Sequence, residues 1–170
     1  GSGKTTAADA IYNKIHHRFE FKCHLGDVSD FEHRYGLVCL QKQLVSHILK
    51  QTTIFQINSV SEGISVIKRH LRRRKVLIVI DNVDKVEQLG AIAGDREWFG
   101  PGSIIIITTR DEHLLNQVRV NMRYPAKKMN EEEALELFSW HSFENNCPKD
   151  ECLELSRKVV SYCGGLPLAL

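Results

Sequence analysis

Two short runs limit what this chain can fold into: Val76-Leu77-Ile78-Val79-Ile80 and Ile104-Ile105-Ile106-Ile107. Each is apolar without alternation, rich in β-branched residues and too short for a helix, so each reads as a strand covered on both faces. Strands of that kind belong to a parallel sheet sandwiched by helices, which makes this an α/β chain. The second run is launched from the turn signal Gly100-Pro101-Gly102. A further short strand is read from Phe21 to Val28. Between the strands the apolar spacing is helical. Ala8, Ile11, Tyr12 and Ile15 mark a helix over Thr5–Phe19, and Leu37, Leu40, Leu44 and Ile48 mark one entered after Gly36. Ile64, Ile67 and Leu71 mark another.

After about Asn121 no strong strand follows, and Glu131–Phe143 and Glu151–Tyr162 read as helices with Asn130 and Asp150 as N-caps. A boundary is therefore expected near Met129. It separates an α/β unit over residues 1–128 from the start of a helical one over 129–170.

The strand ends carry the chemistry. The first run ends in Asp81, so a buried strand delivers a carboxylate to the C-terminal rim of the sheet, where open α/β folds bind ligands. At the head of the chain, Gly3-Lys4-Thr5 is the second half of G-x-x-x-x-G-K-[ST], a loop whose backbone amides cradle phosphates. In that loop the lysine reaches the β and γ oxygens, the hydroxyl ligates Mg²⁺, and the helix that follows aims its positive end at the anion. Taken alone, Gly-Lys-Thr equally fits a plain helix start. An aspartate at the end of a sheet strand, in the metal-holding Walker-B position, turns the reading toward a phosphate site. Thr108-Thr109-Arg110 ends the second run, and a guanidinium at the same rim can grip a γ-phosphate bidentately. The bland readings of Asp81 and Arg110 are a turn residue and a surface salt-bridge partner.

In order, these segments resemble the NB-ARC domain of plant disease-resistance proteins. Gly1 to Thr6 is similar to the end of its P-loop, and Leu77 to Asp84 to its kinase-2 motif. Gly100 to Arg110 resembles its sensor-type motif, and Glu133 to Phe138 the start of the helical ARC1 subdomain. Gly164-Gly165-Leu166-Pro167-Leu168-Ala169-Leu170 resembles the Gly-Leu-Pro-Leu-Ala-Leu signature. The fold implied is the three-layer P-loop NTPase fold followed by the beginning of ARC1. The chain is then expected to be a fragment cut inside the first and last motifs, without the P-loop's first glycine and its preceding strand. Asp84 at the end of kinase-2, with Phe31 to Leu49 as spacer, resembles the class in which a Toll/interleukin-receptor (TIR) domain precedes the module.

The resemblance implies an ADP/ATP switch in an intracellular immune receptor of the cytoplasm, or of the nucleus. It rests with ADP, exchanges it for ATP and self-associates, flanked in the parent by TIR and leucine-rich-repeat domains. Gly1, Gly3, Lys4, Thr5 and Thr6 are implied to hold phosphate, and Thr5 and Asp81 the Mg²⁺. Arg110 is implied to sense the γ-phosphate and Pro167 to pack near the adenine. One position departs from the family pattern. The residue after Asp81 is usually a second acid, a candidate for activating the attacking water, and here it is Asn82, which cannot take up a proton. Slow ATP hydrolysis is expected, accelerated by Asn82→Asp; the alternative is that Asn82 only hydrogen-bonds the strand end.

Other function classes fit less well. A GTPase needs an Asn-Lys-x-Asp motif after the later strands, and Asn13-Lys14-Ile15-His16 is misplaced and lacks the acid. The Leu-Ser-Gly-Gly signature of transporter ATPases is absent. A net charge of +2 is too small for a nucleic-acid surface, so no direct nucleic-acid partner is expected. Arg72-Arg73-Arg74-Lys75 reads as a solvated helix end. No membrane partner is expected, because no apolar run approaches the roughly 20 residues of a bilayer span. Five cysteines in no framework spacing read as reduced thiols, and with His16-His17 they lack the spacings of a zinc site. Phe138 and Trp140, on one helical face with Leu135, read as core.

Overall fold

A computed structural model describes residues 2–50, 56–148 and 150–167. Gly1 and Leu168-Ala169-Leu170, read above as parts of the first and last motifs, lie outside the described residues. Two compact units are present: residues 5–122, and residues 2–4 grouped with the described part of 123–170.

The α/β unit is built on a parallel sheet of order β1-β2-β3, with β1 at Phe21–Leu25, β2 at Val76–Val83 and β3 at Ile104–Thr109. Cys23 and Leu25 of β1 and Val76, Ile78 and Ile80 of β2 point into one core cluster. They meet Leu40, Leu44 and Ile48 of α2 (Val28–Leu49), Ile67 and Leu71 of α3 (Val60–Leu71) and Leu89 and Ile92 of α4 (Val86–Ala93). The intervening residues Leu77 and Val79 are equally buried. On their face, neighbouring His24 of β1 takes Asp9 of α1 (Lys4–Ile15) through Nε2 at 2.7 Å. Helices therefore cover both faces, as the unbroken apolar runs require. Burial also pushes the Cys23 thiol up to about 12, so it stays protonated at neutral pH.

Local chemistry moves several boundaries from the sequence reading. Strand β1 stops at Leu25 rather than Val28, because Asp27 takes a left-handed conformation (φ 44°) and its carboxylate caps α2 by accepting from Asp30 N. The helix expected after Gly36 accordingly begins at Val28, with Gly36 (φ 79°, ψ 168°) as a kink inside it. The first helix ends at Ile15, and the next three residues form a 3₁₀ turn. Among the described residues, the α-helices without a sequence forecast are α4 and the short α5 (Glu112–Gln117), capped by Asp111.

The turn before β3 is anchored to the start of β2. Ser103 Oγ accepts from Val76 N (3.0 Å) and donates to Gly100 O (2.6 Å). A Cβ on Gly100 would lie 2.7–2.8 Å from backbone atoms of Arg73 and Arg74, which is why glycine stands there. The basic run beside it is only partly solvated: Arg74 lies over the Phe21 ring and Lys75 over Phe19.

In the helical unit, α6 (Glu131–Phe143) starts as read, with Asn130 and Glu133 forming a reciprocal capping box. The last helix, α7, runs Leu153–Cys163 with Cys152 at its cap, after a 3₁₀ turn at Asp150–Cys152, so Asp150 is not the N-cap expected. Trp140 is not core: it is 53% exposed, because α6 centres its buried face on Ala134 and Ser139. Phe138 is half-buried.

Candidate phosphate and metal site

The site is positioned by the C-terminal end of β2. Ile80 pairs with Ile107 and Val83 with Thr109, so Asp81 and Asn82 together face the single residue Thr108. That is a β-bulge, a device that re-aims a side chain at a sheet rim. Its extra residue is Asn82, at φ 56°; asparagine tolerates the left-handed region better than most residues.

Three oxygen-bearing side chains meet at the bulge. Thr5 Oγ1, in the first turn of α1, donates to the Asp81 carboxylate at 2.9 Å (Oδ1) and 3.1 Å (Oδ2). Thr108 Oγ1 donates to Asp81 Oδ1 at 2.5 Å and accepts from the Asn82 backbone N–H at 2.9 Å. Asp81 and Thr108 are each only 7% exposed. A hydroxyl next to a carboxylate, at the start of a helix, is a hard-oxygen donor pair. Mg²⁺ is usually held by one or two such protein oxygens with waters and substrate phosphate completing the shell. The donor set fits that ion.

Asn82 is tied elsewhere. Its Nδ2 donates to Asp27 Oδ1 at 2.8 Å, joining the bulge to the cap of α2. Beyond it, buried Gln88 accepts through Oε1 from Asp84 N (3.1 Å) and Lys85 N (3.2 Å) and donates to Asp84 Oδ1 (2.7 Å). Lys85 Nζ donates to Glu32 Oε2 at 2.6 Å, a second tie to α2. That bond lowers the Glu32 carboxyl and raises the Lys85 ammonium. Burial pushes Asp84 upward, yet hydrogen bonds from Ser29 and Gln88, with the charge of Lys85, bring it below its ordinary value.

Of the residues named from sequence, the α/β unit brings together Thr5 and Asp81. Thr6 is exposed, and Arg110 is exposed immediately after β3, at the sheet's C-terminal edge. In the other unit Lys4 Nζ donates to Ser2 Oγ at 3.0 Å. Gly3 (φ 76°) lies against Pro167 there: a Cβ on it would be 3.8 Å from Pro167 Cγ. The first and last described motifs thus meet. Sequence reasoning missed Thr108 as a partner of Asp81, and missed Asp27 and Gln88. Only strand register and the bulge reveal them.

A family model for the NB-ARC domain matches residues 1–148. The chain belongs to the NB-ARC family. Similar relatives of this NB-ARC chain include disease resistance protein RUN1 of Vitis rotundifolia, 46% identical over 170 residues, and RPV1 of the same species, 44% identical over 170. TMV resistance protein N of Nicotiana glutinosa is 38% identical over 177 residues. All three alignments cover the whole chain but only 13%, 12% and 15% of those proteins' lengths. Among the described residues of this NB-ARC chain, no helix is long and apolar enough to cross a membrane.

Proposed function

We propose that this NB-ARC chain is the ADP/ATP-binding switch module of a plant immune receptor, with Mg²⁺ as its metal. The contact of Thr5 Oγ1 with the Asp81 carboxylate carries this reading, because it joins two motifs 76 residues apart into one hard-oxygen pair at the sheet rim. Lys4 and the amides of the Gly1-to-Thr6 loop take the phosphates, Thr5 and Asp81 the metal, and Arg110 the γ-phosphate that distinguishes ATP from ADP. Pro167 lies near the adenine. The two nucleotides bias two domain arrangements through those differential contacts. The likeness to named resistance proteins supports a role in defence signalling. Asp84 supports a TIR domain before the module; the family likeness supports leucine-rich repeats after it and self-association on activation.

Hydrolysis is slow in this reading, because Asn82 offers an amide where an acid would take a proton, and that amide is engaged with Asp27. The test is calorimetric titration with ADP and Mg²⁺. Wild type binds one ADP, and Lys4→Ala weakens it by at least about tenfold, the scale of one charge-assisted phosphate contact. Undiminished ADP affinity in Lys4→Ala overturns the assignment.

A further inference from the structure

Resting on the metal-site reading above, we infer that Thr108 is the positioning residue of the site: its hydroxyl holds Asp81 Oδ1 so that the carboxylate meets the metal in one orientation. Asp81 has two neighbours that donate to it, and they are not equivalent. Thr5 Oγ1 lies within reach of both carboxylate oxygens, at 2.9 and 3.1 Å. Its oxygen is also the one that would ligate Mg²⁺ in that reading. Thr108 touches only Oδ1, at 2.5 Å, and is buried.

Thr108 is also fixed from behind. A hydroxyl has one proton to donate and lone pairs to accept with. The Asn82 backbone N–H donates to Thr108 Oγ1 at 2.9 Å, which leaves the Thr108 proton aimed at Asp81. The order Asn82 N–H to Thr108 O–H to Asp81 Oδ1 exists because the bulge sets Asp81 and Asn82 against one residue of β3. In a regular parallel ladder that two-to-one pairing is lost. With Oδ1 held by Thr108, Oδ2 is the oxygen left for the metal shell. Second-sphere bonds of this kind orient metal ligands, and their loss commonly costs about 10–100-fold in metal affinity.

The test compares wild type, Thr108→Val and Thr108→Ser by the dissociation constant of fluorescently labelled ADP, measured once with Mg²⁺ and once in EDTA. Valine keeps the shape and removes both the donor and the acceptor; serine keeps both. A melting curve establishes that each variant is folded. The expected result is that Thr108→Val lowers the Mg²⁺-dependent gain in affinity by about tenfold or more while the EDTA value stays within about twofold, and that serine restores the gain. A merely structural role weakens binding by one factor in both buffers. That outcome, an unchanged gain in valine, or a serine variant no better than valine overturns the inference. Wild type with no Mg²⁺-dependent ADP binding sinks the nucleotide reading itself, and the inference with it.

Discussion

Asn82→Asp perturbs the bulge in a way that can be worked from the geometry. Asn82 Nδ2 stands 2.8 Å from Asp27 Oδ1 as donor to acceptor. Aspartate at 82 sets two carboxylates against each other. The lost hydrogen bond is worth about 0.5–1.5 kcal/mol net. Two charges relaxing to roughly 4 Å repel by about 1 kcal/mol in water-like surroundings, the appropriate limit because Asp27 is exposed. Aspartate also tolerates positive φ, so the backbone adds little. The sum is a destabilisation of about 1.5–2.5 kcal/mol at pH 7 and low salt. Urea unfolding measures it. Raising the salt shrinks only the repulsive share. The exchanged pair Asp27→Asn with Asn82→Asp restores donor and acceptor in swapped order, so most of the loss returns as coupling in a double-mutant cycle. The same substitution frees an acid at the rim, and single-turnover ATP hydrolysis is expected to rise. The reasoning is refuted if Asn82→Asp is as stable as wild type at low salt, or if the exchanged pair is no more stable than the single variant.

Two further outcomes follow from the packing and the charges. Gly63→Ala is expected to lose about 1–3 kcal/mol in urea unfolding, since its Cβ would lie 1.9 Å from Oε1 of fully buried Gln41. That amide is held by bonds from Nε2 to Val60 O and Ala91 O and has little freedom to move. The Glu32–Lys85 tie is expected to weaken at both ends of the pH scale. The lowered Glu32 carboxyl stabilises above the usual glutamate range and loses that contribution as pH falls through its folded value. The raised Lys85 ammonium stabilises below the usual lysine range and loses it as pH rises through its own. The stability gap between wild type and Glu32→Gln, measured by urea unfolding, should be open at pH 7 and should narrow as pH falls through the folded Glu32 value.

What was legible in the sequence tracks how local its cause is. Strands β2 and β3 announce themselves because burial on both faces demands unbroken apolar runs, and Asn130 announces α6 because capping is decided within four residues. The start of α4 escapes: its cap residue is Lys85, and buried Gln88, not a Ser, Thr or Asp side chain, satisfies the free amides there. Strand β1 is overrun because apolar Val28 continues the pattern past Asp27, whose left-handed turn ends it. In the site, residue types were enough to nominate Thr5 and Asp81. Thr108 became a partner of Asp81 only through the pairing of β2 with β3, and no spacing along the chain encodes a bulge.

Manganese in place of magnesium gives the most direct reading of the pocket, since electron paramagnetic resonance counts bound and free Mn²⁺ without relying on turnover. With ADP present, wild type is expected to hold one Mn²⁺ per chain, and both Thr5→Ala and Asp81→Asn are expected to release it. Full retention of that ion by both variants would contradict a metal held between the first turn of α1 and the end of β2.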